Sequence, residues 1–372
     1  MGEVYAWGSN EEPQLVERFT GVPLDGISGT SVDCLLLNTA AGEVLFHGNE
    51  TALIEGPCSQ VKGVVNCAAL GAKHFVAVTD AGIIFTRGEG ELGQTGQGHP
   101  DDVETPFPLK VASQISVVKV GANHSVALTN KGTVYGWGTG YYGQHGGAVR
   151  RPQMVPRLLS FQKCKIVQIA VGDDFSLALA TDGRIWSWGA NDCGQLGLGD
   201  TKARFKPQVV GSTHTDVGDT RTDPLLIPAA NNAVKTTYRS IGAGKAHAVA
   251  CNGEGQLFAW GFNMQGQLGQ GSSRKFATDP LQVDLSSYGD YSDNINIVEV
   301  DAAAFFSAAR SVNGHIYTFG KFVTVGKDQP EQTNAGVPAL VHRLSNAKVS
   351  EFMLRKCIVA VTVALVSVII SY

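Results

Sequence analysis

Apolar positions in this chain fall into short runs separated by turn residues, and the same order of runs returns again and again. The segment Val117–Gly147 reads "VVKVGANHSVALTNKGTVYGWGTGYYGQHGG". A first apolar run is followed by a second around Val126-Ala127-Leu128, then by a two-residue turn at Lys131-Gly132. Brief apolar runs bounded by turn residues predict strands, and glycine accepts the positive φ that a tight hairpin demands. The third run, "TVYGWG", alternates between two faces. A glycine-rich loop follows, and then a fourth short strand that often opens with proline, as at Pro152, Pro207 and Pro280. Proline cannot donate to a ladder, so this strand belongs at a sheet edge.

Good copies of the unit run over Val64–Gly98, Ile166–Asp200 and Tyr238–Gly271, with weaker ones at Gly29–Asn49 and Ile297–Lys321. The hairpin turns recur as Asp182-Gly183 and Asn313-Gly314, and the third strand closes at Gly48, Gly88, Gly138, Gly189, Gly261 and Gly320. A seventh closing glycine, Gly8, stands in "MGEVYAWG". Four strands per unit with an edge last describe a propeller blade. The expected fold is all-β: one seven-bladed β-propeller over residues 1–362. Its units lie near 26–49, 64–98, 117–147, 166–200, 238–271 and 297–321, with 348–362 closed by residues 1–10. N- and C-terminal strands in one blade would remove the last free sheet edges.

Residues 363–372 are left as an apolar extension. The segment "CIVAVTVALVSVIISY" (357–372) carries no charge. It is shorter than the roughly 20 residues of a membrane-spanning helix, and β-branched side chains dominate it, which favours strand. A tail anchor preceded by Arg355-Lys356 is the competing reading.

Composition agrees with many strands and tight turns: 45 of the 372 residues are glycine and only 17% are charged, against about 25% in ordinary domains. The net charge of −4 leaves no electrostatic footprint for nucleic acid. Seven cysteines without any C-x-x-C spacing point away from disulfides and zinc, and towards a reducing compartment. The start of the chain shows no secretory signal. The expected location is cytoplasmic or nuclear, with attachment to an intracellular membrane only through the tail.

These units resemble the repeats of the regulator of chromosome condensation family. The G-x-x-H element, the D-G turn, the W-G close and the N-x-x-G-Q-L-G-x-G loop recur in order, as in "GANHSVALTNKGTVYGWG" and "GANDCGQLGLGD". The resemblance implies a seven-bladed propeller. It also implies one of several roles, because the founding members are exchange factors for the Ran-type GTPase while others are scaffolds or ubiquitin-ligase adaptors. In the exchange factors an aspartate before the histidine of the third unit acts with a histidine of the fifth. Those positions are Asn123 and His247 here. The acid is absent, and neither an inserted wedge after the second unit's third strand nor a basic N-terminal arm is present. The family's plant ultraviolet-B receptor bears its tryptophans on G-W-R-H-T motifs. Here Trp7, Trp137, Trp188 and Trp260 stand before closing glycines instead, which suits core packing within a blade.

Other signals read as parts of the scaffold. Gly88-Glu-Gly90-Glu-Leu-Gly93 matches a dinucleotide fingerprint but is followed by turn formers, not a helix. His74, His124 and His247 share one position per unit, too far apart for a shared ion, so each is expected to fix its own blade by a buried hydrogen bond. Asp173-Asp174 precede Phe175, which replaces that histidine. Arg150, Arg151, Arg157, Lys163 and Lys165 form a basic stretch that suits an acidic partner or a solvated connector. Two insertions depart from the repeat: one with His214, Asp216 and Asp219, the other with Tyr288 and Tyr291. Insertions in repeat proteins map to loops on one face, often the binding face.

The sequence therefore predicts a protein-binding propeller without catalytic motif, cofactor or metal, displaying loops on one face. Its candidate contact residues are Asn123, Asp173, Asp174, His214, Asp216, Asp219, His247, Tyr288 and Tyr291. Exchange on a Ran-like small GTPase is the runner-up, and a tail-anchored membrane scaffold the third reading.

Overall fold

The structure is a computed structural model. It describes residues 61, 63–211, 236–271, 274–285, 295–303, 305–320, 336 and 338 with their side chains, and elsewhere the backbone of the strands named below. The described residues hold strands and no helix.

Seven sheets follow one another in the chain. Strands β1 (Val4–Ala6) and β2 (Gln14–Leu15) precede blade one, a three-stranded sheet of β3 (Leu24–Gly29), β4 (Cys34–Thr39) and β5 (Val44–Gly48) among the described residues. Blade two is β6 (Val65–Leu70), β7 (His74–Thr79), β8 (Ile84–Gly88) and β9 (Val103–Leu109). Blade three is β10 (Ile115–Val120), β11 (His124–Thr129), β12 (Val134–Gly138) and β13 (Gln153–Leu158). Blade four is β14 (Ile166–Val171), β15 (Phe175–Ala180), β16 (Ile185–Gly189) and β17 (Arg204–Val209). Blade five is β18 (Tyr238–Ala243), β19 (His247–Asn252), β20 (Leu257–Phe262) and β21 (Phe276–Val283). Blade six is β22 (Ile297–Ala303), β23 (Phe306–Ser311), β24 (Ile316–Gly320) and β25 (Ala335–Leu340). The chain then forms β26 (Val349–Arg355), β27 (Ile358–Val363) and β28 (Ser367–Ser371).

Within a blade each strand pairs antiparallel with the next, as the hairpin turns predict. The first strands touch in cyclic order, β3 to β6, β10, β14, β18, β22, β26 and back to β3, so the blades form a closed ring. The second strand is buried along its whole length in blades two to five (β7, β11, β15 and β19), and in β23 of blade six only Arg310 is partly exposed. A blade is covered by a neighbour on either side, so both faces of this strand must be apolar or hydrogen-bonded, and a continuous run such as "HSVALT" results. The fourth strand lies at the sheet edge, where Pro207 and Pro280 sit within β17 and β21 and Pro152 just precedes β13.

The closing glycines have a local cause. Gly138 has φ 101°, and a Cβ there would lie 2.5 Å from the Asn123 carbonyl oxygen and 2.7 Å from the His124 Cα. Only glycine lets the third strand pass so close to the start of the second.

The seventh sheet differs from expectation in one respect. Its order is β2-β1-β28-β27-β26, so residues 367–371 form a strand rather than an extension beyond the fold. They occupy the third place, and β1 is displaced to the fourth, running parallel to β28 with Tyr5 opposite Val368. The reason is local: β27 and β28 are joined by three residues, and a hairpin costs less loop entropy than pairing strands from opposite ends of the sequence. N- and C-terminal strands do share this sheet. Gly8 lies outside the described residues. Among the described residues no helix is long and apolar enough to cross a membrane.

Candidate functional site

The two ends of the ring are chemically distinct. His124 pairs with Gly138, so the G-x-x-H turn and the glycine-rich loop after the third strand share one end. The hairpin turns and the links from one blade to the next share the other. At the G-x-x-H end the turns join each other through the main chain. The Ala72 N–H donates to the Ala122 carbonyl (2.9 Å), Ala122 to Asp173 (3.0 Å), and Asp173 to Lys245 (3.3 Å).

Beneath these turns lies a polar relay that the sequence reading misassigned. His74, His124 and His247 are completely buried, as expected, but each bonds into the next blade, not within its own. Their Nε2 atoms lie 2.9 Å from the Oγ of Ser125, Ser176 and Ser307 respectively. The Ser307 hydroxyl in turn donates to the Gln267 carbonyl at 2.9 Å. With its proton committed there, Ser307 accepts from His247, which requires the tautomer with hydrogen on Nε2. Burial pushes the pKa of all three histidines down to about 3, so they are neutral.

The tryptophans cross the same boundary, contrary to the expected packing within one blade. The indole N–H groups of Trp137, Trp188 and Trp260 donate to the main-chain carbonyls of Gln94, Gln144 and Gln195 in the preceding blade, at 2.9, 2.9 and 3.0 Å. The glutamines are the residues the sequence reading missed. Each also folds its own loop, the side-chain oxygen accepting from the N–H two residues earlier, as Gln195 does from Cys193 at 2.9 Å. Their recurrence at one spacing before glycine was the available signal. That glycine makes room for the neighbour's indole, since a Cβ on Gly197 would meet Trp260 Nε1 at 2.8 Å.

Asn123, Asp173 and Asp174 come together at the G-x-x-H end. Asn123 is half-buried, and its carbonyl accepts from Thr139 N–H. Asp173 lies 3.8 Å from Lys245 Nζ. Asp174 accepts from the Gln144 amide at 3.0 Å, and burial followed by the charge of Asp173 raises its pKa above the usual carboxylate value. His247 belongs beneath this surface: with 0% exposure it offers a partner no atom, a correction to its expected contact role. His214, Asp216, Asp219, Tyr288 and Tyr291 lie outside the described residues. The strands that precede their segments, β17 and β21, end opposite Trp186 and Leu257, at the hairpin end.

Beside exposed charges such as Lys73, Glu91 and Arg150, the G-x-x-H end exposes aromatic and apolar side chains. Tyr141 and Tyr142 are 58% and 52% exposed in the loop of blade three, and Met264 is 52% exposed in that of blade five. Lys245 Nζ stands 5.7 Å from the ring of Phe305, which packs on Phe262. Among the described residues no three His, Cys, Asp or Glu side chains gather closely enough to hold a metal.

Comparison with known proteins decides the family. The model of the regulator of chromosome condensation (RCC1) repeat matches residues 81–128, 131–179, 182–251 and 254–310, more than half of the chain. The chain belongs to the RCC1 repeat family. It is 27% identical over 311 residues to the ultraviolet-B receptor UVR8 of Arabidopsis thaliana, covering 74% of this chain and 69% of that protein. It is 31% identical over 145 residues to the RCC2 homolog of Danio rerio, covering 39% of this chain and 24% of the relative. Among solved structures, human WBSCR16 aligns with a TM-score of 0.77 at 20% identity, over 95% of this chain and 89% of that one. Prp20p of Saccharomyces cerevisiae, described with its binding to Gsp1p and histones, aligns at 0.73 and 18% over 95% and 86%. At such identities these RCC1-family structures speak for the fold.

Proposed function

We propose that this RCC1-family propeller is a non-enzymatic scaffold that holds a protein partner on the G-x-x-H end of its ring. The observation that carries the reading is the main-chain link from Ala72 through Ala122 and Asp173 to Lys245. It sets four turns from four blades in one fixed arrangement, and the adjoining loops present Tyr141, Tyr142 and Met264 to solvent. Exposed tyrosine on a rigid base is favourable for recognition, because little conformational entropy is lost on binding. The test is to identify the protein that co-purifies with the native chain and measure its affinity for a Tyr141→Ala, Tyr142→Ala, Met264→Ala variant. A loss of about tenfold or more is expected; unchanged affinity would sink the reading.

Exchange on a Ran-like small GTPase is the second reading, on family membership. Asn123 in the acidic position and the burial of His247 weigh against it. Release of a fluorescent guanine nucleotide from such a GTPase, with and without this protein, separates the two.

A further inference from the structure

From Thr105 to Gly172 the chain contains no Asp or Glu, yet it contains Lys110, Lys119, Lys131, Arg150, Arg151, Arg157, Lys163 and Lys165. The other 21 of the 29 Lys and Arg, and all 33 Asp and Glu, lie elsewhere. Blade three is thus a positive sector of +8 in a chain whose remainder carries −12. Arg150, Arg151, Arg157, Lys163 and Lys165 are all exposed, and none makes an ion pair with a described carboxylate.

Arg151, Arg157 and Lys163 lie on or beside the outer strand of that blade, Arg150 sits 5.1 Å over the Phe205 ring of blade four, and Lys165 directly precedes β14. Arg150 and Arg151 lead into β13 at the G-x-x-H end, Arg157 lies within it, and Lys163 and Lys165 follow it at the hairpin end. Between the charges stand Val155 and Leu158, 48% and 56% exposed. The six residues of β13 span about 20 Å.

Backbone strain points to the same strand. Among the described residues the non-glycine positions with positive φ are Ala148 (65°), Gln162 (50°) and Lys163 (69°). The first precedes β13 and the other two follow it. Gln162 and Lys163 form the two central positions of a turn closed by Cys164 N–H to the Phe161 carbonyl at 2.9 Å. Glycine or asparagine is the usual choice there, so the turn holds Lys163 out at a cost in backbone strain.

We infer that the outer edge of blade three is a docking surface for an acidic, extended peptide segment of a partner protein, with apolar side chains between its carboxylates. The peptide's carboxylates meet Arg150, Arg151, Arg157 and Lys163, and its apolar residues cover Val155 and Leu158. Guanidinium groups suit carboxylates because their donors are planar and paired. Recognition proceeds through side chains and not through an added strand. Pro156 has no N–H, and the Met154 carbonyl already accepts from Gly98 at 2.8 Å. Exposed aliphatic side chains between the charges favour a peptide over a nucleic acid, whose bases stack on aromatic rings instead. Arg150 and Arg151 share the blade-three loop with Tyr141 and Tyr142, while Val155, Arg157, Leu158 and Lys163 lie away from the end assigned to the scaffold's main partner.

Fluorescence anisotropy with the full-length protein tests the inference. The probes are a short labelled peptide of alternating Glu and Leu, a Lys–Leu peptide of equal length and an oligouridylate. The expected result is saturable binding of the Glu–Leu peptide alone, weakened by added salt. Binding should be at least about tenfold weaker in Arg150→Glu, Arg151→Glu, Arg157→Glu, whose unfolding midpoint should match wild type because all three side chains are exposed. Val155→Ser, Leu158→Ser, which keeps every charge, should also weaken it. Met264→Ala, in the loop of blade five, should leave the peptide's affinity unchanged, so failure of the scaffold reading and failure of this one are distinguishable. No saturable binding, equal binding by the charge-reversed variant, or tighter binding of the oligouridylate would each overturn it.

Discussion

The Nε2 of His247 lies 2.9 Å from the Oγ of Ser307, and the two belong to different blades. His74 with Ser125 and His124 with Ser176 repeat the pair. Where the histidine position holds Phe175, the serine position of the next blade holds Ala248, and both are completely buried in one core cluster. Polar meets polar and apolar meets apolar across each of these boundaries. Removing Ser307 alone should therefore strand a buried imidazole nitrogen and cost about 1–3 kcal/mol. The double change His247→Phe, Ser307→Ala copies the natural apolar pair and should recover more than half of the loss. Urea unfolding of the two single variants and the double one measures it.

Acid should weaken the ring through the same histidines. The unfolded chain takes up protons on them near pH 6.5, while the native state refuses until about 3. Stability is then whole above pH 6.5 and is lost as pH falls towards 3. Each histidine contributes about 1.4 kcal/mol per pH unit in that window. Unfolding midpoints measured from neutral pH down to about 5 should fall steeply. In His124→Phe, Ser176→Ala the slope should be shallower by one histidine's share, about 1.4 kcal/mol per pH unit, while His74, His247 and His145, whose pKa burial also lowers, keep theirs. An unchanged slope would mean that the rings admit water and titrate normally.

Two glycines should respond to alanine by very different amounts. At Gly138 the positive φ and the approach to Asn123 and His124 leave no room for a methyl group. Alanine there should cost about 3 kcal/mol or more and lower the thermal midpoint clearly. At Gly253 the nearest heavy atom to an added Cβ is 3.8 Å away and φ is unstrained. Alanine there should lie within about 0.5 kcal/mol of wild type.

Truncation after residue 363 should leave β27 without its partner β28 and β1 without the strand beside it. The expected outcome is a lower thermal midpoint together with self-association by light scattering, since an unpaired strand edge seeks another. A truncated chain that melts as before and stays monomeric would remove β28 from the sheet.

Much of this was legible in the residues. Period-two runs, glycine after each hairpin turn and proline at each edge identify strands and their order. The closing glycines mark each third strand, because their conformation is intrinsic to the local chain. Partners across blade boundaries were not legible. His247 and Ser307 are 60 residues apart, and nothing in either neighbourhood says which blade supplies the other. The same holds for Trp260 and Gln195.

The sequence by itself determined the repeating strands, their turns and the membership of the RCC1 family, because such features depend on neighbours a few residues away. Tertiary structure alone decided that the histidines and tryptophans bridge blades and that His247 is interior. It also decided that β28 displaces β1 and that scattered cations line one edge. Ring closure brings together residues 40 to 70 positions apart, and burial then makes each polar group find the partner that geometry, not local sequence, places beside it.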